Sequence, residues 1–251
     1  MGATATAKPL KPKHVMRAID AFKQAAEANM FSVLFEVRPR PAQWQGYLDS
    51  AKMLRPELEK VEGFVENIRY KSMQRDGWIL SLSNWRDEKS LVRWRTAPSH
   101  HTVQQRGRDE ILLDYHLRVG EIFADNKLPE GMMLLNQRND ETEVGVGKMV
   151  TVITATRPPG HPANVTSCSQ YLGLDIYSGT DLVEWDVYEA VLAPDDLCLM
   201  LVWKDCSAVE YFERGERMLL PETHRVRHVR VIRDYTMIDR REAPQYYPIP
   251  K

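Results

Sequence analysis

The chain has 251 residues, 43% hydrophobic and 27% charged, with a formal net charge of -1. That size supports a substantial core without staples, and near-neutrality argues against a general nucleic-acid partner. Three cysteines without a CxxC pair argue against a disulfide framework or a zinc site and fit a reducing cytoplasm, while the absence of a long apolar run argues against a membrane span or secretory signal.

Residues 1–29 read as a polar arm followed by a helix from His14, with Val15, Ile19, Phe22 and Ala26 at helical spacing. MFSVLFEV (30–37) reads as a strand stopped by Arg38-Pro39-Arg40-Pro41. A helix over about 41–60 follows, with Pro56 expected to kink or split it. FVENIRYKSM (64–73) and WILSLSNW (78–85) are strands joined at Arg75-Asp76-Gly77. Asp87-Glu88 open a short helix, a second helix covers about 99–113, and a strand runs over 115–124. The order βαββαβ is the ferredoxin-like plan.

Residues 127–147 read as a linker whose MMLL patch docks on the body. A second copy then spans 148–240, with strands near 148–156, 183–192, 197–203 and 227–238 and helices near 163–172 and 207–220. Residues 241–251 read as an extended tail. Trp85-Arg86-Asp87 and Trp203-Lys204-Asp205 close an apolar strand at matched places, and Trp94 and Phe212 each follow nine residues later. The fold class expected is therefore α+β: tandem ferredoxin-like repeats whose antiparallel sheets pack face to face as a barrel around a shared cavity, with helices outside.

Two-residue alternation assigns faces to the first copy. Phe31, Val33 and Phe35, Phe64 and Ile68, Leu80 and Leu82, and Leu117 and Val119 are expected under the helices. Glu36, Asn67, Arg69, Ser81, Ser83, His116 and Arg118 are then expected in the cavity, with Trp85 at its rim. A few convergent polar groups beside an aromatic wall suit a small-molecule site; a hydrated, merely paired interface is the alternative. The basic clusters at 93–108 and 225–233 read as solvated faces, with an anion site as the minority reading.

Trp85 with Asp87-Glu88, Trp94, His100, Gln104, Gly107-Arg108 and the Tyr115 to Val119 strand resemble the antibiotic biosynthesis monooxygenase domain over about 30–124. This resemblance implies a dimeric α+β barrel and, in many members, cofactor-free oxygenation of aromatic phenols or quinols. Haem-degrading members carry an Asn, a Trp and a His where this chain carries Val37, Trp94 and Gln104. Haem-binding tandem barrels take a histidine from the C-terminal copy, which points to His224 or His228.

The leading expectation is a cytoplasmic oxygenase that binds a small aromatic substrate and dioxygen without metal, flavin or other cofactor, with no nucleic-acid or membrane partner and with room for a homodimer. His116 or Glu36 is the expected base. Asn67, Arg69 and Arg118 are expected to hold an oxyanion, with Trp85, Trp94, Ser81 and Ser83 against the substrate. Haem binding and a non-catalytic ligand sensor are the alternatives.

Overall fold

The computed structural model describes residues 29–128, 133–136, 138–174, 181–215 and 220–244. The expected N-terminal arm and helix, and most of the tail, lie outside them. Eight strands form one closed antiparallel barrel: β1 (Phe31–Pro39), β2 (Phe64–Ser72), β3 (Ile79–Trp85), β4 (Leu112–Asp125), β5 (Met149–Thr156), β6 (Leu182–Ala190), β7 (Asp196–Trp203) and β8 (Arg225–Thr236). The circular order is β1-β3-β2-β6-β7-β5-β8-β4. Each half therefore contributes four consecutive positions. The seams differ: β2–β6 pairs at three positions, Tyr70 to Ser72, while β4–β8 pairs from His116 to Asp125.

The duplication extends to register. Phe31 faces Trp85 as Met149 faces Trp203. Asn67 faces Ser83 as Trp185 faces Leu201. The repeated Trp-basic-Asp ends do the same work in both halves. Trp85 and Trp203 are fully buried. Asp87 caps α2 (Glu88–Thr96) by accepting from the Ser90 N–H at 2.7 Å, and Asp205 caps α5 (Cys206–Arg214) by accepting from Ser207 and Ala208. Gly63 is left-handed (φ 87°), and a Cβ there would meet the Ser90 Oγ that Asp87 holds in place.

The first half's outer layer is α1 (Trp44–Leu58), α2 and α3 (Pro98–Arg106), with a π turn over Gly107–Ile111 leading into β4. Pro56 sits in the last turn of α1, which ends two residues later without splitting. The second half carries α4 (Val165–Tyr171) and α5. Of the linker patch, Met132 lies outside the described residues, Met133 is exposed, and Leu134 packs with Leu128 against the barrel interior. Among the described residues no helix is long and apolar enough to cross a membrane.

The barrel interior holds an apolar core and not the cavity expected. Leu34, Leu80, Leu82 and Ile122 meet Val150, Val152, Met200, Val202, Val229 and Val231 there. Two face assignments are corrected by this. Leu80 and Leu82 point inward, so Ser81 and Ser83 lie under the helices. On β2 the register shifts between Phe64 and Glu66. This bulge puts Phe64 and Asn67 on the same face, and leaves Ile68 opposite Asn67 and Arg69. The assignments for β1 and β4 agree with the structure: Val33, Phe35, Leu117 and Val119 lie under the helices, and Glu36 and Arg118 lie inside.

Candidate active site between the first half's sheet and helices

A cavity of about 230 Å³ lies between the outer face of the first half's sheet and α1, α2 and α3. Its floor follows from strand register. One row runs Arg69, Ser81, Phe35, Leu117, Tyr235 across β2, β3, β1, β4 and β8. The next runs Asn67, Ser83, Val33, Val119, Arg233 over the same strands. At ~4.8 Å per strand each row spans about 19 Å. The floor is apolar in the middle and polar at both margins. Leu54 and Leu58 of α1, Leu91 and Trp94 of α2, and Val103 of α3 form an apolar roof.

At the β2–β3 margin, Asn67 is buried and donates through Nδ2 to Ser81 Oγ (3.0 Å) and the Leu82 carbonyl (3.2 Å). Its Oδ1 is buried without a partner, as is the Nε of Arg69. Arg69 also bonds the Tyr47 hydroxyl. Burial pushes the Tyr47 phenol upward, and the nearby guanidinium opposes this in part. Ser83 Oγ accepts from Trp85 Nε1 at 3.0 Å, which fixes the indole in the wall.

His100 stacks on Trp94 at 4.3 Å between ring centroids, with planes 15° apart. Its Nδ1 lies 3.0 Å from the Trp94 carbonyl, which can only accept, so Nδ1 carries the proton and Nε2 the lone pair. Burial lowers its pKa to about 4, against the opposing pull of that carbonyl. The ring is thus neutral near pH 7, with an unprotonated nitrogen in a cavity-lining side chain.

Five arginines line the cavity: Arg69, Arg95, Arg108, Arg233 and Arg240. None is in an ion pair among the described residues, whereas the lining carboxylate Glu88 is held by Arg138 at 2.6 Å. Arg95, like Arg69, has a buried Nε without a partner. Arg240 donates to the Tyr115 hydroxyl. Its segment is pinned by Glu242, which accepts from Thr142 Oγ1 and from the backbone N–H groups of Glu143, Val144 and Asp234.

Of the residues singled out from the sequence, the structure gathers Asn67, Arg69, Ser81, Ser83, Trp85 and Trp94 here, on the sheet face opposite to the one expected. It places Glu36, His116 and Arg118 elsewhere, in an ion cluster at one end of the barrel interior. There Arg118 bonds Glu36 at 2.7 Å, Glu184, and the Nδ1 of His116 at 3.1 Å, while His116 Nε2 meets Asp234 at 2.5 Å. Arg75 closes the cluster onto Glu36 and Asp186. Burial alone would raise the Glu36 pKa; Arg118 and Arg75 reverse that and hold it below the usual carboxylate range. A carboxylate so fully bonded is a poor general base. Glu36, His116 and Glu184 lie close enough together to share a cation, but the Arg118 guanidinium already bonds all three. The expected base and oxyanion holder therefore lie apart from the helix-covered cavity, in an ion cluster whose His116, Arg118, Glu184 and Asp234 line a separate pocket at the barrel end.

The two histidines of the second half are already engaged within the protein. His224 bonds the Tyr171 carbonyl and Thr223 through its two nitrogens, and His228 bonds Thr151 and Glu213. Both rings are buried in the filled second half. Val37 packs among Ile79, Tyr115 and Tyr235. Sequence reasoning missed Tyr47, Arg95, Arg233 and Arg240. The basic clusters at 93–108 and 225–233 were the signal for two of them.

The antibiotic biosynthesis monooxygenase family model matches residues 30–106. A protein of Pyricularia oryzae named "Jasmonate monooxygenase ABM" is 45% identical over 223 residues, covering 87% of this chain and 99% of that one. The chain belongs to the antibiotic biosynthesis monooxygenase family. Two solved structures, an aldoxime dehydratase and an aldoxime dehydratase with butyraldoxime, share the fold alone. The first has a TM-score of 0.52 at 11% identity, covering 83% of this chain and 82% of that one. The second has 0.51 at 10%, covering 86% and 82%.

Proposed function

We propose that this family member is a monooxygenase of small, mainly apolar organic acids, with jasmonate as the first substrate to test. The observation that carries the reading is a set of five arginines around an apolar cavity, none of them ion-paired among the described residues, two of which, Arg69 and Arg95, bury an Nε donor that no protein group meets. Guanidinium groups with unmet donors are costly to bury, and an anionic ligand removes that cost. The named relative, alike over nearly its whole length, acts in name on such an acid. One atom of dioxygen enters a C–H bond as hydroxyl. The other leaves as water, with two protons and two electrons from an external two-electron donor such as a reduced nicotinamide. Trp85, Trp94 and the leucines exclude water and press the apolar body against Val33, Phe35, Leu117 and Val119.

A second reading rests on His100. Its unprotonated Nε2 can accept the hydrogen bond of a phenol, and an anionic substrate alongside it would raise its low pKa toward the range of a working base, with Asn67 and Arg69 holding the oxygen functions. In that case the substrate supplies all four electrons: a ring methylene becomes a carbonyl and the second oxygen leaves as water, without a cofactor. Incubation under ¹⁸O₂ with jasmonate or an anthrone, with and without reduced nicotinamide, separates the two. One ¹⁸O in a hydroxylated acid, dependent on the reductant, supports the first. Reductant-free labelling of the anthrone supports the second. No labelled product in any arm overturns both and leaves a ligand-binding protein.

A further inference from the structure

The cavity's two polar margins differ in kind. The β2–β3 margin is a buried hydrogen-bonding surface: Asn67 presents an unmet acceptor, Arg69 an unmet donor already steered by Tyr47, and the two serine hydroxyls accept from neighbours and retain their own protons to donate. The opposite margin carries charge and lies nearer solvent. Arg233 is half-buried on β8 and Arg240 is exposed. Both come from the second half of the chain, whose own helix layer is filled.

A carboxylate moved from water into a closed site loses several kcal/mol of hydration unless it is paired. The more exposed pair of arginines takes it at the smaller cost. Placed against Asn67, the same carboxylate would face the Oδ1 lone pairs. We infer that Arg233 and Arg240 are the acid anchor, so that the second half supplies the recognition of charge for a cavity built by the first. The Asn67–Arg69 margin takes a neutral oxygen function across the apolar lane. The segment around Glu242 then acts as a positioning strap, since its four accepted hydrogen bonds set where Arg240 stands.

This inference rests on the reading of the cavity as a small-acid site, and a binding experiment keeps the two apart. Decanoate and methyl decanoate are titrated into the full chain, with tryptophan fluorescence as readout because Trp85 and Trp94 line the cavity. Wild type is expected to prefer the acid. Arg233→Ala and Arg240→Ala are each expected to weaken decanoate by about ten- to a hundredfold, the range of a lost charge-assisted hydrogen bond, and to leave the ester unchanged. Arg233→Lys is expected to restore part of the preference. Arg69→Ala is expected to weaken acid and ester alike. If the acid preference persists in both second-half variants, or is lost instead in Arg69→Ala, the anchor is misassigned while the cavity reading stands. If wild type binds neither probe, or binds them equally, both fail together.

Discussion

The two helix-covered faces of this barrel share a backbone plan and differ in what fills it. Under the first half's helices, Asn67, Arg69, Ser81 and Ser83 leave a cavity. The register-matched residues of the second half are Trp185, Val187, Leu199 and Leu201. These pack with Phe212, Cys168 and Leu172 into a continuous core. His228, which occupies the place of Val119 relative to the neighbouring strands, adds a ring between Thr151 and Glu213. One architecture thus yields a site or a support according to the volume and polarity of a few side chains on β2 and β3, or on their counterparts β6 and β7.

The largest effect is expected at the barrel end, where the interior common to both halves is charged. Arg118→Ala should destabilise the fold by about 3–5 kcal/mol, because it strands Glu36 and its neighbours as buried charges. Urea unfolding measures this; a change in stability below 1 kcal/mol would show the cluster to be dispensable. Next, Leu201→Ser should cost about 2–5 kcal/mol by opening a void in a filled layer. The reciprocal Ser83→Leu should cost the fold far less, since the cavity has room, while strongly impairing ligand binding. Equal costs in the two directions would contradict a filled-versus-open contrast.

His100 makes a pH prediction. Its folded pKa, about 4, lies below the ordinary histidine value of 6.5. The unfolded chain therefore binds more protons between these values. Stability from this group is fully present above about 6.5 and declines as pH falls toward 4, by on the order of 3 kcal/mol at most. His100→Gln should flatten that part of the stability–pH curve, and an unchanged slope would refute the buried neutral ring. The smallest effects test the shared plan itself. Asp87→Ala and Asp205→Ala each remove a helix cap and should each cost about 1 kcal/mol. A much larger cost at Asp87 would mean that α2 is held by the cap more than by its packing.

Much of this architecture is legible in the residues. Apolar runs, the Gly77 turn and the repeated Trp-basic-Asp ends place the strands and the duplication, because backbone alternation and helix capping are local physics. The faces of β1 and β4 are legible for the same reason. The faces of β2 and β3 are not. A one-residue bulge after Phe64 reverses the phase of Asn67 and Arg69 without a mark in composition. For β3, the alternation of serine and leucine is plain, but which side is apolar depends on what the opposite half supplies. Here it supplies Val150, Val152, Met200 and Val202, so the interior closes as a core and the serines turn to the helices.

The chain's own pattern therefore fixes the succession of strands and helices along it, the repeat, and which polar residues share a strand face. Tertiary structure decided where those faces look. Closure of two sheets into one barrel buries whichever faces are jointly apolar, and that is a property of both halves at once. It also decided that Arg233 and Arg240, far along the chain from Arg69, border the same cavity. The β4–β8 seam lays the second half's last strand beside the first half's sheet, a pairing that no local propensity encodes.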